Sequence, residues 1–463
     1  MSTNPAVTIE LLRKYDRPGP RYTSYPTAVE FADAFGPSEY VAKLAEADAV
    51  DGPLSLYVHL PFCEHRCTFC GCHVVITSDE DIVQKYLGYL HREIDRLATH
   101  LPNRRKVSQY HWGGGTPTHL APGQMEALHR HVTDRFGIEG NAEVAIEVDP
   151  RVTTVEQIEL LRSLGFNRLS MGVQDFDTDV QAAVDRHQTE AQTRASYDLG
   201  RKLGFASINL DLIYGLPLQT VPKFGRTVDA VAQMRPDRVA LYSYAHVPWI
   251  RAQQKSIDPA DLPSPEDKLA LFLDARERFL AAGYVEIGMD HFALPSDELA
   301  EARRNRRLHR NFMGYTVKMG SDMVAVGVSG IGDARGAFAQ NEKKLSRYYE
   351  ALDAGRFPIE RGYALDPDDL IRRETIARLM CNLWLDTQAV EREFDIKFAD
   401  YFAKEIASLQ APEGPVAHGF VAIAPDHIEI VGLGRFFVRN VAMIFDRYLE
   451  SRTSGKPVFS RTV

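Results

Sequence analysis

Cysteine, tryptophan and surplus base are what this chain has little of. Five cysteines occur in 463 residues, and four of them fall between positions 63 and 72. A secreted disulfide framework would spread them along the chain, so extracellular stapling is excluded. Lys and Arg number 54 against 63 Asp and Glu, a net charge of −9. Binding nucleic acid through bulk charge is therefore not expected. No apolar run is long enough to span a bilayer, and the mean hydropathy is −0.26. The first twenty residues carry no basic segment followed by an apolar one, so no secretory signal is expected. Internal repeats and low-complexity tracts are absent. These absences point to a cytoplasmic globular protein, and the length suggests two domains or one large barrel with an appendage.

What is present is an alternation of β and α patterns. Short apolar, β-branched or aromatic segments read as strands at 54–60, 108–112, 142–148, 168–174, 207–214 and 238–244, with a further extended segment at 284–289. Amphipathic stretches read as helices at 79–97, 122–136, 155–164, 190–203, 220–234 and 265–281. Gly165, Gly204 and Gly283 stand where helix-terminating glycines are expected. Repeated β-α units imply a parallel sheet, either doubly wound or curled into a full or partial (β/α) barrel. The expected divisions are an N-terminal arm (1–50), a (β/α) region (51–300), a connecting segment that completes the site (301–365) and a small, mostly helical C-terminal domain (366–463).

In parallel α/β folds the functional groups gather at the C-terminal ends of the strands. The residues there are polar, glycine or cysteine: His59–Cys63, Gly113–Thr116, Glu147 with Asp149, Gln174, Asp211 and Ala245 with His246. One shared site is the simplest explanation. Directly after the first strand comes Cys63-x3-Cys67-x2-Cys70-x-Cys72. Three thiolates on one short loop can each take a corner of a cubane cluster and leave the fourth iron open. Structural zinc, a four-cysteine electron-transfer cluster and plainly buried thiols are the competing readings. Zinc prefers two separated ligand pairs, Cys70 and Cys72 are awkwardly close for two corners, and Glu64, His65 and Arg66 argue against an apolar setting.

This spacing after a barrel strand, with Phe69 before the third cysteine, resembles the radical S-adenosylmethionine (SAM) superfamily. The resemblance implies a partial (β/α)6, TIM-like barrel, a [4Fe-4S] cluster on Cys63, Cys67 and Cys70, and SAM chelated at the open iron as the source of a 5′-deoxyadenosyl radical. It extends over nearly the whole chain. Gly19–Thr27, Tyr57–His59, Cys70-Gly71-Cys72, Trp112–Thr118, Ile146–Arg151, Asp211–Pro217, Gly288–Phe292 and His309–Phe312 are similar to the oxygen-independent coproporphyrinogen III oxidase family.

That family oxidatively decarboxylates two propionates of coproporphyrinogen III to vinyl groups, giving protoporphyrinogen IX. The propionate β C–H has no usable acidity, so a carbon radical rather than a base must remove the hydrogen. The family binds two SAM molecules. Position by position, the resemblance implies Tyr57, Gly114, Glu147 and Ile331 at one SAM, and Phe69, Gly115, Thr116, Gln174, Arg186, Asp211 and Ala245 at the other. Cys72 is expected near the substrate or second SAM, with Phe312 also in the substrate region. A tetracarboxylate held by an acidic protein needs a local basic patch. Arg21 and Arg310 are the expected carboxylate ligands, whereas Arg303 and Arg304 read as a solvated helix face. An electron donor is required, and a monomer suffices because all cluster ligands lie on one loop. Met313 stands where the family usually has Gln, and the stretch around Ile331 also departs from its pattern. A related haem-binding chaperone, or radical SAM chemistry on another substrate, are the alternatives; the chaperones usually lack both the Arg21–Thr27 arm and an equivalent of Cys72.

Overall fold

Six parallel strands, joined by helices, form the centre of the computed structural model, which describes residues 9–318, 322–450 and 459–462. They are β1 (Leu54–Leu60), β2 (Lys106–Gly114), β3 (Gly137–Val148), β4 (Arg168–Gln174), β5 (Ser207–Tyr214) and β6 (Arg238–Ser243). Each neighbouring pair is parallel. Their helices are α1 (Glu80–His100), α2 (Pro122–Thr133), α3 (Val155–Ser163), α4 (Glu190–Lys202), α5 (Val221–Met234) and α6 (Pro265–Ala281). The six strands follow one another in sequence order with no reversal. A doubly wound sheet reverses its order at a switch point, so this is the partial barrel.

The local causes are those the sequence carries. β1 is buried at six of seven positions, as a strand covered on both faces requires. Asp79 caps α1 by accepting from the Asp81 amide, and Val83, Tyr86, Leu87, Leu90, Ile94 and Leu97 form its buried stripe. Gly165, Gly204 and Gly283 follow their helices at positive φ.

Three features differ from the sequence reading. β2 and β3 begin earlier, because the polar start of β3, Gly137–Ala142, pairs with Lys106 and Val107 without any apolar alternation to mark it. The segment 301–365 supplies strands to the main sheet. With β7 (Val285–Ile287) and β8 (His291–Ala293) continuing the sheet antiparallel beyond β6, the strands β9 (Met323–Val326), β10 (Ile331–Ala334), β11 (Ala337–Asn341) and β12 (Ile359–Ala364) extend it beyond β1. β9 pairs parallel with β1, and β9 to β12 pair antiparallel with one another in turn. The mostly helical C-terminal segment also holds a three-stranded sheet.

The N-terminal arm is packed at both ends. Its helix Pro37–Asp48 buries Tyr40 and Leu44 in the barrel core. Tyr15, Tyr22 and Tyr25 join a second core with Leu379, Phe402, Phe420 and Phe437. Residues 1–8 of the arm, 319–321 of the connecting segment, and 451–458 and 463 of the C-terminal domain lie outside the described residues. Among the described residues no helix is long and apolar enough to cross a membrane.

Glu93 of α1 ties β9 to the barrel. Its carboxylate accepts from the Gly327 amide (2.7 Å), Tyr348 Oη (2.6 Å) and Asn341 Nδ2 (2.6 Å) in full burial. Burial pushes its carboxyl up to about 7 despite these donors. Glu93→Ala leaves three buried donors unpaired and is expected to cost about 3 kcal/mol. Urea unfolding of the variant checks this; an unchanged midpoint would contradict it.

Candidate active site

The loop after β1 is closed by its own backbone. Phe62–Cys63 pairs in parallel with Val75–Ile76, and the Cys70 amide donates to the Cys67 carbonyl at 3.2 Å. The loop after β6 clamps it from outside. Gln253 Nε2 donates to the Cys70 carbonyl (2.5 Å), and Gln254 Nε2 to the carbonyls of Phe69 (3.1 Å) and Ala245 (3.2 Å). The thiols are thus positioned by β1, β2 and β6 together.

A cavity of about 790 Å³ opens here, lined by Cys63, Cys67, Phe69, Cys70, Cys72, Gly114, Gly115, Thr116, Glu147, Gln174, Arg186 and Asp211. Twelve residues singled out from sequence therefore share one space at the strand ends. Six others lie elsewhere. Tyr57 is on β1, with its hydroxyl 3.1 Å from His59 Nδ1. Ala245 is held by Gln254, and Ile331 opens β10 opposite Gln340. Phe312 packs edge-on against Phe338. Arg310 lies over the Tyr315 ring and donates to the Arg21 carbonyl at 3.4 Å. Arg21 lines a separate cavity, and so does Arg303, contrary to its reading as a solvated face. Arg304 is exposed as expected.

The glycine run works by closeness. The Gly115 amide donates to the Leu60 carbonyl at 2.8 Å, and the Thr116 amide to the Phe62 carbonyl at 2.8 Å. A Cβ on Gly115 would lie 2.6 Å from the Phe62 oxygen and 2.7 Å from Pro61 backbone. Gly115→Ala must push the cysteine loop outward, and a shift of that size at a reacting centre costs about a hundredfold in rate. Turnover and iron content of the variant are the measurements.

The charges are arranged in two groups. Glu147 accepts from the Gly114 amide at 3.0 Å, with His111 Nε2 3.5 Å away. Burial raises its carboxyl, but His111 and the Gly114 amide outweigh this and hold it below the usual range. Among the described residues, Asp211 is hydrogen-bonded by Asn209 (2.7 Å) and Ser170 (3.5 Å). Burial pushes it up to about 6. Of the second group, Asp149 and Arg186 were singled out from sequence, but Arg151 and the meeting of the three were not. Buried Asp149 binds Arg151 at 2.7 Å and Arg186 at 3.2 Å. Both arginines also point an N–H at Cys67 Sγ, at 3.7 and 3.8 Å. The position of Asp149, two residues beyond Glu147 at the end of β3, was the available signal. His59 was also passed over. Burial pulls its imidazole down to about 4, so it is neutral. The His73 carbonyl 3.1 Å from Nε2 can only accept, which places the proton on Nε2 and makes Tyr57 the donor to Nδ1.

The donor set fits an iron–sulfur cluster and a polar cofactor. Three thiols of one loop face one cavity, and N–H donors to a ligand sulfur are the outer contacts such clusters have. Among the described residues, no three His, Cys, Asp or Glu side chains converge tightly enough for a single metal ion. Gln174 Oε1 and Asn209 Oδ1 are buried without a hydrogen-bond partner, as acceptors awaiting a polar ligand would be.

Residues 57–231 match the model of the radical SAM superfamily, and residues 365–437 that of the HemN C-terminal domain. The oxygen-independent coproporphyrinogen III oxidase of Escherichia coli (strain K12) is 44% identical over 456 residues, 98% of each chain. The enzyme of the same name from Synechocystis is 43% identical over 468 residues, all of both chains. The solved structure of coproporphyrinogen III oxidase (HemN) from Escherichia coli superposes with a TM-score of 0.89, covering 92% of this chain and 97% of that one. Barrel, cysteine loop and C-terminal segment are thus shared along the full length, and the chain belongs to the oxygen-independent coproporphyrinogen III oxidase family of radical SAM enzymes.

Proposed function

We propose that this chain converts two propionates of coproporphyrinogen III to vinyl groups, giving protoporphyrinogen IX without oxygen. The observation that carries the reading is the cysteine-loop cavity, whose walls come from the ends of β1 to β5 in a chain alike along its length to enzymes of that name. For each propionate one hydrogen atom leaves the β carbon, the carboxylate departs as CO₂, and one electron passes to an acceptor. The ring side chain is left as –CH=CH₂.

Cys63, Cys67 and Cys70 hold the [4Fe-4S] cluster. When bound, the cluster and SAM supply a carbon radical strong enough to take an unactivated hydrogen. The chain's own residues bind and orient. Glu147, held ionised, and the glycine backbone of β2 meet the polar end of one SAM, beside Tyr57 and Ile331. Gln174, Arg186 and Asp211 provide a donor and two acceptors for a second SAM, with Phe69, Gly115, Thr116 and Ala245 around it. Cys72, Phe312 and Arg310 face the substrate region. Met313 lines the barrel interior with His111, Asp211 and Tyr242, so a thioether stands in that wall. The protein acts as a cytoplasmic monomer served by a one-electron donor.

The test is anaerobic incubation of reconstituted protein with SAM, a reductant and coproporphyrinogen III. Protoporphyrin fluorescence after oxidation of the product supports the reading. 5′-Deoxyadenosine without a vinyl product would overturn the substrate while keeping the radical chemistry.

A further inference from the structure

A second cavity lies where the ends of β5 and β6 meet the C-terminal segment, with Tyr214 and Ser243 on one side and Phe436 and Val438 on the other. Four arginines face it: Arg21, Arg303, Arg435 and Arg439. Of its two carboxylates, Glu286 is hydrogen-bonded through both oxygens, while Asp290 Oδ2 is buried with no hydrogen-bond partner among the described residues. Glu286 takes Arg276 through both oxygens, at 2.6 and 2.9 Å, and Arg435 as well. Asp290 is bonded to His291 Nδ1 at 2.8 Å, with Arg21 Nη1 3.7 Å away. Arg439 is spent on the backbone carbonyls of Gly19, Pro20, Arg461 and Thr462.

Arg303 differs. It closes the helix Glu298–Arg304, and its Nε is buried with no hydrogen-bond partner. Burial, then Arg435, pulls its guanidinium below the usual range. Burial, then Arg21, brings Arg439 down to about 10. Arg303 thus stands in a half-closed space with a guanidinium Nε that no acceptor among the described residues meets. The remaining walls, Leu269, Phe272, Met289 and Leu383, are apolar. An inorganic anion would leave those walls unused, whereas a carboxylate on a hydrocarbon stem uses both.

The arginine cavity and the barrel interior are lined by consecutive residues. Glu147, Ser170 and Asp211 line both the cysteine-loop cavity and the barrel interior, which extends to His291. The next residue back, Asp290, lines the arginine cavity.

We propose that the arginine cavity is an anchoring subsite for a propionate of the tetrapyrrole that is not reacting, with the Arg303 fork as its principal ligand and Arg21 and Arg435 flanking it. Holding one arm there sets which arm reaches the cysteine loop. The inference rests on the substrate reading above.

The probes are coproporphyrin III, the oxidised ring with four propionates, and its tetramethyl ester, in which every carboxylate is masked. Each is titrated by fluorescence into reconstituted holoenzyme. The wild type should prefer coproporphyrin III. Arg303→Met should weaken coproporphyrin III about tenfold, leave its tetramethyl ester little changed, and leave substrate-free SAM cleavage intact. Arg303→Lys should recover part of the loss. Wild-type affinity and preference in Arg303→Met would overturn the proposal. So would an equal loss for both rings, which marks a structural role. No binding of coproporphyrin III by the wild type would overturn the substrate reading, and this inference with it.

Discussion

Cys67→Ser is expected to remove the cluster and with it turnover, by at least about a hundredfold. Cys67 is the most enclosed of the three candidate ligands, at 6% exposure, and the only one flanked by two arginines. Serine cannot supply a thiolate, and a hydroxyl between two guanidiniums gains nothing that holds iron. The loop itself should survive, because its closure runs through backbone bonds and through Gln253 and Gln254. The variant should therefore be folded, colourless and poor in iron and sulfide. Metal analysis beside a circular-dichroism melt separates the two effects. Wild-type iron content in the variant would contradict the ligand assignment.

Arg186→Met is expected to cost about 3 kcal/mol and to weaken the cluster at the same time. Arg186 is 7% exposed and serves four partners: Asp149, the Gly172 carbonyl, Gln188 and Cys67. Methionine fills the space but leaves buried acceptors without donors. Arg151→Met should cost less, since Asp149 and Cys67 are the only partners of that more exposed arginine. Urea midpoints give the order. The cluster potential should fall in both variants, because a hydrogen-bond donor to sulfur favours the reduced state.

The pH dependence has a fixed sign. Burial raises Asp149, but Arg186 and then Arg151 outweigh it and hold its carboxyl below the usual range. Its stabilising share is present above the unfolded value and is lost as pH falls through the folded one. The Arg186→Met deficit should accordingly shrink in acid.

Legibility followed distance along the chain. The cysteine spacing is local, and the strand ends declare themselves by a polar residue after an apolar run. With Phe69 and Arg186 coming from the family resemblance, ten of the twelve site residues were thus readable locally. The Asp149–Arg151–Arg186 group was not, because its third member comes from a loop beyond β4 and no local pattern says the two meet. Arg303 was hidden by its neighbours. Arg304, Arg306 and Arg307 are exposed, and a run of arginines conceals the one that a helical turn points inward. Strands β9 to β12 are only four to six residues long, and glycine interrupts β10 and β12. Pairing of β9 to β1, a long-range event, starts the ladder that β10 to β12 extend. The arm's tyrosines gave no sign of their partners, since the core they enter is built from residues beyond 370.

The account turns on hydrogen removal from the propionate β carbon by chemistry seated at the cysteine loop. The most direct measurement is label transfer. Coproporphyrinogen III deuterated at that carbon is turned over anaerobically, and the 5′-deoxyadenosine formed is weighed by mass spectrometry. The account predicts one deuterium in 5′-deoxyadenosine for each vinyl group formed, with neither product in Cys67→Ser. Vinyl product alongside unlabelled 5′-deoxyadenosine would contradict it.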